Sequence, residues 1–233
     1  MAQNETLAHS DALLLQISEA GIVLLDEQQS MIASLAWSAP AKTVSLFWEK
    51  QQIKKSQIKQ IRVEIIHSLF LLLPAEYDVP MYRIGFLEKA LGENALIGNE
   101  VHVQEIKYLK SNLVFLVASA WKDYLAIHFP LATVEYQHVM GTMLEKNNSN
   151  KSQQLAIQLF KNQAFVVLFK DYTLQINNVF EYQSGIELAF YLHSIREAFD
   201  FTWDPQKIHV TGPESSNEKL VAELQEYHIS FSS

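Results

Sequence analysis

The sequence predicts an α/β protein made of two consecutive halves, each a mixed sheet flanked by helices. Three observations predict it. The 233 residues are 48% hydrophobic and 19% charged, a globular composition with enough chain for a sizeable core. Short apolar runs of strand length alternate with longer runs at helical spacing. One polar stretch, "NNSNKSQQ" from Asn147 to Gln154, interrupts the chain, and after it the order of elements begins again.

In the first half, Leu13–Ile17, Gly21–Asp26 and Met31–Trp37 are apolar runs separated by turn-like stretches, a three-stranded meander. Gly21 stands where a tight turn can use a positive φ. After Pro40, Thr43 is placed to cap a helix that carries Val44, Phe47 and Trp48 on one face. Ile61–Ile66 and Leu69–Leu73 read as strands, the second stopped by Pro74. Met81–Leu91 reads as a helix with Gly92 as its C-terminal cap. Val101–Ile106 and Leu113–Ser119 form a hairpin, Trp121–Phe129 a helix ended by Pro130, and Tyr136–Lys146 a further helix.

In the second half, Leu155–Phe160, Phe165–Phe169 and Thr173–Phe180 are again three strands, joined by tight turns. Ser184 opens a helix to Phe199, with Glu187 completing a capping box. That helix has two apolar stripes, one with Leu188 and Leu192, the other with Ile186, Phe190 and His193. Burial between its sheet and the other half accounts for the second stripe, and a face turned to a partner is the alternative. His193 is expected to be hydrogen-bonded there. Strand Ile208–Thr211, helix Ser216–Gln225 and strand Ile229–Phe231 close the chain. The division expected is a first lobe over residues 1–146 that carries an insertion, a linker over 147–154 and a second lobe over 155–233.

Three strands, helix, strand, helix, strand is the order of a ribonuclease-H-like unit, and two in tandem make the actin-like ATPase fold. The segment "INNVFEYQSGIELAFYLHSIREAFDFTWDPQKIHVTGP", Ile176–Pro213, resembles a recurrent segment of actin-like assembly proteins such as the type IV pilus component PilM. It is more similar to an uncharacterised bacterial domain-of-unknown-function family with a degenerate actin-like fold, and "LFLLLPAEYD", Leu69–Asp78, fits the same family. The shared positions are Asn178, Phe180, Phe190, Tyr191 and Gly212, with Glu187 where the family tends to have aspartate. They are structural in kind.

The resemblance implies three places where a nucleotide would be held, and the sequence departs from the pattern at each. The first hairpin of a working actin-like ATPase carries aspartate, then glycine and a hydroxyl residue that wrap phosphate. Here Ser18 and Glu19 precede Gly21, and Ile22 follows it. The second hairpin reads "FKNQAF" around Asn162, without aspartate or glycine. The adenosine loop keeps only Gly212, followed by Pro213, which offers no amide donor. A sharp turn with a positive φ is expected at Gly212. These degenerate loops, Ser18, Glu19, Gly21, Asn162 and Gly212, imply no cofactor and no catalytic residues.

Other chemistry finds little support. Leu14, Leu15 and Gln16 occupy the strand from which a nuclease would project metal-binding carboxylates. No Walker loop, GxGxxG, HExxH or GxSxG motif occurs. Cysteine is absent, which excludes disulfides and thiolate sites. In "NEVHVQE" strand alternation puts Glu100, His102 and Gln104 on one face, a metal candidate whose ordinary reading is a half-exposed polar face. The formal net charge of −8 argues against nucleic acid. The basic stretch from Lys50 to Arg62 reads as a solvated face. There is no apolar run of membrane-spanning length and no signal-peptide pattern at the N-terminus, so a cytoplasmic protein without membrane insertion is expected.

The function expected is that of a non-catalytic actin-like scaffold that binds an unidentified protein partner, with a homo-oligomer also compatible. The alternative is an actin-like nucleotide-binding ATPase or kinase with atypical phosphate loops. Aromatic residues make up 11% of the chain, four of them tryptophan. Trp121 and Tyr124 are the expected partner-binding anchors, since Trp and Tyr concentrate binding energy at interfaces. Core packing is the other reading of both.

Overall fold

A computed structural model describes residues 11–147, 153–201 and 204–229. The chain divides into two compact units, residues 1–141 and 142–233.

The first unit runs β1 (Ala12–Ser18), β2 (Gly21–Leu25), β3 (Met31–Ala36), α1 (Ala41–Lys50), β4 (Gln60–Ile66), β5 (Phe70–Pro74), α2 (Pro80–Leu91), β6 (Asn99–Ile106), β7 (Ser111–Ala118), α3 (Ser119–His128) and β8 (Thr133–His138). α4 (Val139–Lys146) runs through the boundary between the units. The sheet order is β3-β2-β1-β4-β8, antiparallel from β1 outward to β3 and parallel from β1 through β4 to β8. Alternation along the strands puts Leu13, Leu15 and Ile17 of β1 in register with Ile61, Val63 and Ile65 of β4, all buried on one face. Phe47 and Trp48 of α1 and Leu125 of α3 pack against them. Each large apolar side chain removed from water there contributes roughly 1.5–3 kcal/mol.

Between β4 and β8 the chain inserts a three-stranded antiparallel sheet of order β5-β7-β6, with α2 against it. Its small core is Leu73, Leu87, Val114 and Leu116. Asp78 ties this insertion together. Its buried carboxylate accepts from Arg83 Nε at 2.6 Å and Nη2 at 3.0 Å, and from Asn112 Nδ2 at 2.7 Å. Burial alone would raise the Asp78 carboxyl, but the Arg83 and Asn112 hydrogen bonds outweigh it and hold it below its ordinary value.

The second unit contains β9 (Gln153–Phe160), β10 (Gln163–Lys170), β11 (Thr173–Glu181), α5 (Gly185–Phe199), β12 (Ile208–Thr211) and α6 (Glu218–Glu226). Its sheet order is β11-β10-β9-β12, with β12 parallel to β9. This repeats the β3-β2-β1-β4 arrangement of the first unit. Leu155, Ile157 and Leu159, with Val166 and Leu168, face Leu188 and Leu192 of α5 and Leu220 and Leu224 of α6.

Several elements differ from the sequence reading. Tyr136–His138 is strand, not helix, because β8 pairs with β4 as far as Ile65 opposite His138. Thr43 does not cap α1. Pro40 does, with φ −57° and ψ 148°, and its carbonyl accepts from Thr43 N at 2.8 Å. Pro74 is the last residue of β5 rather than the residue after it. The last helix begins at Glu218 rather than Ser216, with Asn217 as its cap, accepting from Leu220 N. At α5 the Ser184 hydroxyl accepts from Glu187 N, but the Glu187 carboxylate reaches Gln183 N, one residue before the cap. The second apolar stripe of α5 is not covered: Phe190 is 66% exposed and Ile186 51%. The last expected strand lies largely, and the linker in part, outside the described residues.

Candidate functional site

In an open α/β sheet, ligands sit beyond the carboxyl ends of parallel strands. In the first unit those ends are Ser18 closing β1 with Glu19 after it, His67 after β4 and His138 closing β8. The β1–β2 turn is packed. Ala20 N points to the Ser18 hydroxyl, and the Trp37 indole donates to the Ser18 carbonyl at 2.7 Å. A Cβ on Gly21, whose φ is +154°, would overlap the Leu35 carbonyl of the neighbouring strand.

The two histidines are staples. The His67 Nδ1 accepts from Leu69 N at 3.0 Å, so its Nε2–H donates to the Leu116 carbonyl. The His138 Nδ1 accepts from Met140 N at 3.1 Å, so its Nε2–H donates to the His67 carbonyl at 3.0 Å. Backbone donors thus fix both rings as neutral tautomers. Burial lowers the proton affinity of both, and that of His138 is lowered further by His67. The sequence reading missed this pair because its acceptors, the Leu116 and His67 carbonyls, are backbone groups brought by tertiary pairing.

In the second unit, Asn162 lies in the two-residue β9–β10 turn. Its carbonyl accepts from Tyr182 N at 2.8 Å, and the Tyr182 hydroxyl donates to the Lys161 carbonyl at 2.8 Å. Burial, and then Glu214, push the Tyr182 phenol up to about 12. Gly212 ends β12 with φ +99°, and a Cβ there would overlap the Leu159 carbonyl. The α5 N-terminus, where amides point outward, is occupied by the chain itself: Gly185 N donates to Glu223 at 2.6 Å.

Trp121 and Tyr124 are half-buried on α3 and belong to an aromatic cluster. Trp121 stacks on Trp37 at 6.3 Å between centroids, Tyr124 meets Trp37 edge-on at 5.4 Å, and the Tyr124 hydroxyl accepts from the Trp48 indole at 3.1 Å. The basic stretch before them is partly spent inside the unit, Lys59 on Asp11, Arg62 on Glu135, and Lys55 against His128 Nδ1 at 3.1 Å.

The other flank of α3 borders a groove of about 630 Å³. Its apolar lining is Ala126, Phe129, Pro130, Ala132 and Val134, and its polar lining is Glu100, His102 and Tyr136 from the strands and Lys122 and Asp123 from α3. Glu100 and Lys122 form an ion pair that keeps the Glu100 carboxyl below its ordinary value. Burial, reinforced by Lys122, lowers the proton affinity of His102, and its buried Nε2 has no hydrogen-bond partner among the described residues. Burial and the nearby Glu100 carboxylate push the Tyr136 phenol up to about 12. Thus Glu100 and His102, paired by strand alternation, face a cavity. No cluster of three or more metal-ligating side chains forms among the described residues.

The insertion presents a different surface. On α2, Leu87 faces the core, while Met81, Tyr82 and Phe86 are exposed on the opposite side together with Gly85. Tyr77 and Ile97, in the segments before and after α2, are exposed as well.

A family model described as "Protein of unknown function (DUF3822)" matches residues 6–231. No curated protein matches the chain. Among solved structures, a protein of unknown function with an actin-like ATPase fold from Bacteroides thetaiotaomicron superimposes with a TM-score of 0.70 at 15% identity, covering 94% of this chain and 89% of that one. The PilM-PilN type IV pilus biogenesis complex gives a TM-score of 0.52 at 11% identity, covering 94% and 86%. At these identities the likeness shows the fold, and the fold is actin-like. No helix among the described residues is long and apolar enough to cross a membrane.

Proposed function

The chain belongs to the DUF3822 family of proteins of unknown function, and from that premise we propose that it is a non-catalytic actin-like scaffold that binds a protein partner. One observation carries this reading: α2 turns Met81, 74% exposed, and Tyr82, 57% exposed, away from its own core. Single exposed apolar residues are ordinary, but a contiguous apolar helix face is a feature of interaction surfaces. The solved PilM relative is itself in a complex with PilN, which supports a partner-binding role for the fold. Trp121 and Tyr124, each keeping part of its surface open on α3, are the second proposed contact. The turns at Ser18–Gly21, Lys161–Asn162 and Gly212 each have backbone groups engaged by the chain itself, which supports a role without nucleotide chemistry.

Affinity capture from the native host with wild-type protein and the Met81→Ser, Tyr82→Ser double variant tests the reading. Both side chains are exposed, so folding stability should change by no more than about 0.5 kcal/mol each. A partner held through them should be lost, since interface anchors are worth about 2 kcal/mol or more. Equal recovery of every captured protein by both forms would refute the α2 contact.

A further inference from the structure

The groove beside α3 is a site of its own, and its chemistry selects a ligand. Two carboxylates, Glu100 and Asp123, stand against one ammonium, Lys122, and that ammonium is already engaged by Glu100. The Nε2 of His102 is buried behind the lining and has no hydrogen-bond partner among the described residues, so the charge contacts open to a ligand are those of the carboxylates. Ring faces of His102 and Tyr136, 4.9 Å apart between centroids, border the same space. The rest of the lining is apolar. The volume of about 630 Å³ falls within the roughly 300–1,000 Å³ of small-molecule sites.

We propose that this groove binds a small organic cation, a protonated amine on an apolar, ring-sized body. The ammonium group meets the Asp123 carboxylate and the outer side of Glu100. The body lies on Phe129, Pro130 and Val134. The Tyr136 ring adds the attraction of an aromatic face for a cation. Glu100 and Lys122 offset each other, so an anion of the same shape would meet the net negative charge left by Asp123, and the site discriminates by charge. This inference is independent of the partner-binding reading, since it uses neither α2 nor the aromatic cluster of Trp121 and Tyr124.

The test is a nuclear magnetic resonance titration of the full chain with phenethylamine, 3-phenylpropionate and phenethyl alcohol. The amine should bind at least about tenfold more tightly than the other two, the margin expected of one charge-assisted hydrogen bond. Its shifts should centre on the amides of His102, Ala126 and Val134. Asp123 is exposed, so Asp123→Asn should leave the fold intact and weaken the amine about tenfold. In the double variant Glu100→Gln, Asp123→Asn the ammonium of Lys122 is the sole charge of the wall, and 3-phenylpropionate should become the preferred ligand. Equal binding of the three compounds, a preference that survives the double variant, or no shift at the groove amides up to the solubility limit would each overturn the proposal.

Discussion

Gly212 shows how much one missing methyl group can matter. Its φ of +99° and the closeness of the Leu159 carbonyl leave no place for a Cβ. Gly212→Ala should therefore destabilise the second unit by about 1–3 kcal/mol, more than the conformational cost alone because β9 must also shift. Urea unfolding followed by circular dichroism measures this, and an unchanged midpoint would contradict it. The histidine staples make a second prediction at this scale. An unfolded histidine titrates near about 6.5, whereas His67 and His138 resist protonation while folded. Below that pH the unfolded chain takes up protons that the folded chain refuses. Their contribution is thus fully present above about pH 6.5 and is lost as pH falls toward their depressed folded values. His102 and His128, also lowered by burial first, act in the same direction. The urea midpoint should be lower at pH 5.0 than at pH 7.5. The Asp78 carboxyl, depressed from 3.8, adds its own loss only at more acid pH.

Elements whose pairing is local were legible in the sequence. The β1–β2–β3 meander, the β6–β7 hairpin and the capped α5 each declare themselves through turn residues and apolar alternation within a few positions. Elements fixed by distant partners were not. Val139–Lys146 shows helical spacing that extends backward through Tyr136, yet β4 claims Tyr136 for the sheet. The importance of Asp78 was hidden for the same reason, because Asn112 lies 34 residues away. The insertion depends on that carboxylate. Asp78→Ala removes three charge-assisted hydrogen bonds and leaves the Arg83 guanidinium, 22% exposed, without its partner. A loss of about 2–4 kcal/mol is expected. Hydrogen exchange should locate it in β5, β6 and β7, and exchange rates raised uniformly across the sheet of β1 and β4 would argue against a local clamp.

For the whole molecule, the actin-like arrangement was readable from element order, whereas the groove beside α3 was only half readable. Strand alternation placed Glu100 with His102, but Lys122, Asp123 and Tyr136 come from a helix and a strand that only the tertiary fold brings together. The fold by itself does not carry an activity. Departures at three turns from the nucleotide pattern of working relatives give the prediction here: calorimetric titration with ATP and magnesium should show no binding in the micromolar range. Heat at that range would restore the reading as an ATPase or kinase.

The strand β5 carries a last consequence. Its sequence Phe-Leu-Leu-Leu-Pro lies at an edge of the inserted sheet and, among the described residues, pairs with β7 alone. During synthesis this leucine-rich segment emerges well before β7 exists to cover it, and an open hydrophobic edge is a template for self-association. Two features limit the hazard. The strand is only five residues long, and Pro74 at its end withholds the amide that a second chain would need to prolong a ladder. Replacement of Pro74 should leave the finished fold nearly as it is, with an unchanged urea midpoint, and lower the soluble yield on expression, because the effect of the proline falls on the chain before it has folded.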